Sequence, residues 1–358
     1  MKVHEKYIKR CIQLAQNGLG TTYPNPMVGS VLVYKDKIIG EGWHRKAGEA
    51  HAEVIAINSV KNKSLLKKAT IYVSLEPCSH YGKTPPCSDL IIASGIKKVV
   101  IGTIDPFAKV AGRGIKKLFE SGCEVNLGFL ETECEELNKR FFTFHQLKRP
   151  YIILKWAQSE DGFIAPLPAE INSKREPVWI TNKYSKQLVH KWRSEEQSIL
   201  VGTNTAVADN PKLNTRLWDG PNPVRIVIDQ HLRIMKDSAL FDGSIKTIVI
   251  CGNTTANLNA IQWRQTDCEL LVIETKDFEK EIASQICQIL YEHELQSVII
   301  EGGTRTLQTF INAGLWDEAR VFTGKIQFKT GVKSPKLKGT MKLNEMIDGD
   351  QLKFYTND

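Results

Sequence analysis

Residues 75–87 read LEPCSHYGKTPPC, and a little upstream residues 49–57 read EAHAEVIAI. The first stretch closes ATIYVSLEP, an apolar run with the length of a buried strand, and its second cysteine opens CSDLIIASG, a helical pattern ending at Gly95. The second stretch places His51 at the head of another helical pattern, HAEVIAINSV. Working outward, SVLVYKDKIIGEGW reads as a hairpin turning at Lys35-Asp36-Lys37, KKVVIGT and CEVNLG as strands, and GRGIKKLFESG as a helix. Strands separated by short helices predict an α/β unit with a mostly parallel sheet covered on both faces. ETECEELNKRFFTFHQLKRP reads as one helix running into a linker that ends at Arg149-Pro150.

A chain of 358 residues exceeds one ordinary core, so a second domain is expected. It begins at YIILKWAQSEDGFIA and carries strand patterns in SILVG, VRIVID, TIVICG, ELLVIE, SVIIEGG, DEARVFTG and LKFYTND. Helical patterns lie near 182–194, 279–292 and 304–313, and no repeat or low-complexity segment interrupts them. The first residues, MKVHEKYIKRCIQLAQNG, read as an amphipathic surface helix near 4–18 and not as a signal peptide. No apolar run reaches the length of a membrane span. A cytoplasmic chain with reduced thiols is therefore expected. Through Gln146 there are 21 Lys and Arg against 14 Asp and Glu, while the rest is nearly balanced; the basic first part suits an anionic partner.

In a reduced chain the eight cysteines are ligands or small apolar residues. Cys11, Cys123, Cys134, Cys251, Cys268 and Cys287 lack a ligand-rich neighbourhood. Cys78 and Cys87 differ: with His51-Ala52-Glu53 they form the order H-x-E, then P-C and C, of zinc deaminases. One imidazole and two thiolates hold Zn²⁺ tetrahedrally and leave a position for water, whose pKa the metal lowers toward about 7. Glu53, beside the metal without binding it, is the candidate proton carrier. His80, inside the cysteine loop, is a rival ligand that would close the site.

The eight-residue insert SHYGKTPP departs from the two-residue spacing of most nucleoside and nucleic-acid deaminases. With TYPNPMVGSVLV, GEGWHRKAGEAHAE and DPFAKVAGRGI, it closely resembles the bifunctional deaminase–reductases of riboflavin biosynthesis. The resemblance continues into KWAQSEDGFIA, VGTNTAVADNPKLNTR and SVIIEGGTRTLQTF. It implies a cytidine-deaminase-like α/β/α domain over 1–147 and a dihydrofolate-reductase-like α/β domain over 148–358. The implied reactions are deamination of 2,5-diamino-6-(5-phosphoribosylamino)pyrimidin-4-one, then NADPH reduction of the ribosyl group to ribityl phosphate.

By motif, the family implies His51, Cys78 and Cys87 as zinc ligands and Glu53 as the catalytic acid–base. Asn25 stands where an amide would meet the pyrimidine, and His44 and Lys83 are the candidates for its 5′-phosphate. In the second domain no G-x-G-x-x-G occurs, so a Rossmann site is not supported. The resemblance instead assigns NADP to Gln158, Trp179, Thr205, Asp209 and the run Gly303, Thr304, Arg305, Thr306, Leu307, Gln308 and Thr309. It assigns substrate to Arg193, Leu213, Arg216 and Glu301, with Lys155 near the reacting ribose. The chain departs from the family at Glu160, Pro177 and Gln230, where a leucine and two smaller polar residues are usual. A homodimer or homotetramer is expected, with no nucleic-acid or membrane partner. A deaminase acting on tRNA or single-stranded DNA is the rival enzyme, and a binding protein with structural zinc is the rival of another class.

Overall fold

The computed structural model describes residues 2–81, 85–107, 111–167, 178–253, 268–273 and 278–357, which fall into two compact units, Met1–Lys148 and Arg149–Asp358. The first unit runs α1 (Lys2–Ala15), β1 (Gly29–Tyr34), β2 (Lys37–Trp43), α2 (Ala52–Ser59), β3 (Thr70–Leu75), α3 (Cys87–Ala93) and β4 (Lys98–Thr103). It continues through α4 (Arg113–Glu120), β5 (Glu124–Leu127), α5 (Glu131–Leu137) and α6 (Lys139–Leu147). Among the described residues its sheet has five strands in the order β2-β1-β3-β4-β5. β1 is antiparallel to both neighbours and β3, β4 and β5 are parallel, so the sheet is mixed where the sequence pattern predicts mostly parallel. The hairpin accounts for the difference: Lys35 and Asp36, with φ of 48° and 57°, return β2 against β1.

Tyr7, Ile8, Cys11, Leu14 and Ala15 recur at helical spacing and bury one face of α1. That helix lies so close to the sheet that a Cβ on Gly29 would fall 2.0 Å from the Cys11 carbonyl oxygen. The single helix expected across 131–147 is two. Asn138 breaks it, its side chain donating to the Met27 carbonyl at 2.9 Å and accepting from the Met27 N–H at 2.8 Å.

The second unit contains β6 (Tyr151–Gln158), β7 (Phe163–Ala165), α7 (Lys183–Glu195), β8 (Ser198–Gly202), α8 (Thr203–Asp209), β9 (Val224–Ile228), β10 (Thr247–Gly252) and β11 (Cys268–Ile273). After α9 (Phe278–Glu292) come β12 (Ser297–Ile300), α10 (Thr304–Asn312), β13 (Glu318–Thr323), β14 (Val332–Lys333), β15 (Thr340–Ile347) and β16 (Asp350–Thr356). Nine strands among the described residues form one sheet, β11-β10-β9-β8-β12-β6-β13-β16-β15. It is parallel from β11 to β13 and antiparallel at β16 and β15. Its central strands are continuous apolar runs, as burial on both faces requires. β15, at the edge, is exposed nearly throughout, and neither it nor α8 is apparent in the hydrophobic pattern.

Candidate active sites

In the first unit two turns converge at the C-terminal end of β3. His51 is the extended residue capping α2, which puts Glu53 in the first turn of that helix. Cys78 follows the end of β3, and Cys87 is the first residue of α3, directly after Pro86. The Cys87 N–H donates to Cys78 Sγ at 3.3 Å, and the Ser88 N–H to the Cys78 carbonyl at 3.1 Å, so α3 begins against the other cysteine. His51 Nδ1 lies 3.2 Å from Cys87 Sγ and 3.5 Å from Cys78 Sγ. The three ligand atoms lie within 4.8 Å of one another. Zn–S and Zn–N bonds of about 2.0–2.3 Å separate ligands by roughly 3–4 Å, so this donor set fits one tetrahedral zinc. His80 is exposed and outside the group, which leaves a fourth position without a protein ligand among the described residues.

The electrostatics match the donor set. Cys78 is drawn down to about 4 by the hydrogen bonds from Cys87 and the His51 ring, and Cys87 is correspondingly pushed up by Cys78 and by burial. Glu53 is 3% exposed, and burial pushes its carboxyl up to about 7. A carboxyl held there takes up and releases a proton near neutrality.

Asn25 Nδ2 lies 3.0 Å from His44 Nε2, and His44 Nδ1 lies 3.2 Å from the Ala50 carbonyl oxygen. A carbonyl only accepts, so Nδ1 carries the ring proton and Nε2 receives the Asn25 amide. His44 is 2% exposed, and burial lowers its proton affinity. The structure thus places His44, expected at the 5′-phosphate, in contact with Asn25, expected at the pyrimidine. Lys83 lies outside the described residues.

Two supports escaped the sequence reading. Asn138, 2% exposed, pins the turn that carries Asn25. Glu76, 4% exposed, accepts from the N–H groups of Gly112 and Gly114 at 2.9 Å, tying the start of α4 to the strand end that carries Cys78. The available signal was an acid directly before Pro-Cys together with a glycine-rich helix start downstream.

In the second unit Arg193 makes a two-pronged bond to Glu301, Nε to Oε1 at 2.9 Å and Nη2 to Oε2 at 2.7 Å, and Lys155 Nζ stands 3.9 Å from the same carboxylate. Burial pushes Glu301 up, but Arg193 and Lys155 outweigh it and hold the carboxyl down at about 2. Arg193 also donates to the Asn214 carbonyl at 3.1 Å, and Arg216 donates to Asn214 Oδ1 at 3.1 Å, so these four expected substrate residues form one charged cluster. The expected cofactor residues divide. Gly202 donates its N–H to the Gly302 carbonyl at 2.9 Å, and a Cβ on Gly303 would stand 3.1 Å from Thr205 Oγ1, so α8 and α10 start side by side. Gly302, with φ of 121°, holds a conformation suited to glycine alone.

Other side chains are committed elsewhere. Thr304 Oγ1 donates to the Lys333 carbonyl, Gln308 binds the Lys336 N–H at 2.8 Å, and Thr309 Oγ1 donates to the Arg305 carbonyl. Thr306 packs against Gly202, and Gln158 Oε1 accepts from the Trp156 indole at 3.0 Å. Asp209, at the end of α8, and Trp179 are exposed. The side chains of Leu307 and Leu213 are buried in the core, so a ligand contact at either position would run through the backbone. Glu160 accepts from Gln327 at the surface, Gln230 accepts the Gly252 N–H through its carbonyl, and Pro177 lies outside the described residues.

Comparison with known proteins adds to this geometry. A family model for the cytidine and deoxycytidylate deaminase zinc-binding region matches residues 1–103, and one for the RibD C-terminal domain matches 150–327. The riboflavin biosynthesis protein RibD of Aquifex aeolicus is 41% identical over 90% of this chain and 86% of its own length. The structure of a diaminohydroxyphosphoribosylaminopyrimidine deaminase/5-amino-6-(5-phosphoribosylamino)uracil reductase from Thermotoga maritima, 35% identical, covers 99% of both chains with a TM-score of 0.84. Acinetobacter baumannii RibD, 29% identical, covers the same share with a TM-score of 0.85.

Proposed function

Because the chain belongs to the RibD family of bifunctional deaminase–reductases of riboflavin biosynthesis, we propose that its two activities divide between residues 1–147, a zinc-dependent pyrimidine deaminase, and 148–358, an NADPH-dependent reductase. The observation that carries the deaminase assignment is the convergence of His51, Cys78 and Cys87 beside the buried Glu53. His51, Cys78 and Cys87 would hold zinc, which supplies the Lewis acidity that makes water nucleophilic at neutral pH. Glu53 takes the proton released by the attacking water and delivers it to the departing 2-amino group. Asn25, aimed by His44, orients the pyrimidine.

In the reductase unit the paired starts of α8 and α10 offer backbone N–H groups to NADP, with Gln158, Trp179, Thr205, Asp209 and the run Gly303–Thr309 around it. NADPH supplies the hydride for C1′ of the sugar; Lys155, Arg193, Arg216 and Glu301 orient and balance the charge of the phosphoribosyl substrate. Assembly into a homodimer or homotetramer and a cytoplasmic location belong to the same proposal; among the described residues no helix is long and apolar enough to cross a membrane.

The test is mass spectrometry of the diaminopyrimidine phosphoribosyl substrate incubated with purified protein. Deaminated product without NADPH, then deaminated and reduced product with it, is expected. Deamination that stops there would defeat the reductase assignment, and no reaction at all would return a nucleic-acid deaminase to the front.

A further inference from the structure

The second unit holds more positive charge near Arg193 than its acids neutralise. Arg193 itself is committed: its Nε and Nη2 bind Glu301 and its Nη1 binds the Asn214 carbonyl. Lys155 shares that one carboxylate. Two more cations stand beside them. Lys186 lies seven residues before Arg193 on α7, so with His190 the three occupy one helix face. Among the described residues neither Lys186 nor Arg216 has a carboxylate partner; Arg216 reaches the Asn214 amide oxygen, and the Lys186 ammonium sits 3.5 Å from the centre of the Trp179 ring. An indole face holds a cation in place without neutralising it.

These groups repel one another. The Lys186 ammonium is destabilised by burial and then by Arg216; Arg216 is destabilised by burial and then by Arg193, which the attraction of Glu301 offsets only in part. His190 adds no charge, since burial and the two arginines press its ring down to about 4. Such an arrangement is relieved by a dianion, and a compact ammonium beside a guanidinium suits a phosphate.

We propose that Lys186 and Arg216 grip the 5′-phosphate of the reductase substrate, with Trp179 setting the ammonium in place, while Arg193 organises the pocket through Glu301 and the Asn214 carbonyl. This inference rests on the reductase reading above and narrows it: the phosphate pair includes a lysine that the family motifs did not supply, and one face of Trp179 belongs to that lysine.

The experiment compares NADPH-dependent reduction of the phosphoribosylaminouracil and of its dephosphorylated riboside by the full-length enzyme. Wild type, Lys186→Met and Lys186→Arg are assayed. The wild type should prefer the phosphorylated substrate. Lys186→Met should cut the ratio of the two kcat/KM values at least about tenfold, the loss expected for one charge-assisted phosphate contact. Lys186→Arg should restore most of it, which a misfolded site would not allow. An unchanged ratio in Lys186→Met overturns the proposal, as does a rise in the KM for NADPH with the ratio intact. A wild-type enzyme that reduces neither substrate would overturn the reductase reading, and this inference with it.

Discussion

Glu53 combines a requirement and a hazard. It must lie next to the metal ligands without joining them, and its burial makes a carboxyl that keeps its proton to about pH 7. Replacing it with Gln keeps shape and removes the proton transfer. Glu53→Gln should lower deaminase kcat by about 10²–10⁴ while zinc content, read by elemental analysis, stays at the wild-type level. Glu301 works in the opposite sense. Its folded pKa of about 2 lies below the ordinary carboxylate value, so its stabilisation is fully present above about pH 4.3 and fades as pH falls toward 2. Wild type should therefore lose more melting temperature between pH 5 and pH 3 than Glu301→Gln does. At pH 7 that variant should be less stable by on the order of 3 kcal/mol, because Arg193 and Lys155 remain buried without their counter-charge. Equal slopes for the two proteins would remove Glu301 from the account.

Between neighbouring elements the contacts are set by glycine. A Cβ at Gly114 would fall 2.0 Å from the Pro77 carbonyl oxygen, on the turn that carries Cys78. Gly114→Ala should push the start of α4 away from Glu76, lowering both melting temperature and zinc retention; a variant that keeps zinc as firmly as wild type would separate α4 from the metal turn. This junction also shows what a sequence exposes. His51, Cys78 and Cys87 were legible because metal chemistry admits few residue types, and each stands at a strand end or helix start marked by its own local pattern. The strands of the second unit were legible as continuous apolar runs. Asn138 and Glu76 were not, because their partners are backbone groups far away in the chain; Met27 is 111 residues before Asn138. The same holds for β1 lying antiparallel to β3, a pairing that the hairpin pattern does not encode. Lys186 escaped because a half-buried lysine on a helix reads as surface until Trp179 and Arg216 are placed beside it.

If the two activities divide between the two compact units as proposed, the whole molecule should fail in parts. A strong chelator, or Cys87→Ser, should abolish deamination and leave NADPH-dependent reduction of the already deaminated substrate within about twofold of normal. In calorimetry the chelator should lower one unfolding transition and leave another in place. Simultaneous loss of both activities would mean that zinc supports the reductase unit as well. The order of the large sheet has a different consequence, one for synthesis. β6 is the first strand of its unit, yet its two neighbours are β12 and β13: Tyr151 pairs with Ser297 and Trp156 with Val321. A ribosome adding about 5–20 residues per second leaves β6 with both edges unpaired for on the order of ten seconds, after the whole first unit has been synthesised. The nascent chain therefore presents a compact first unit followed by an apolar strand waiting for partners, the condition in which chaperones bind.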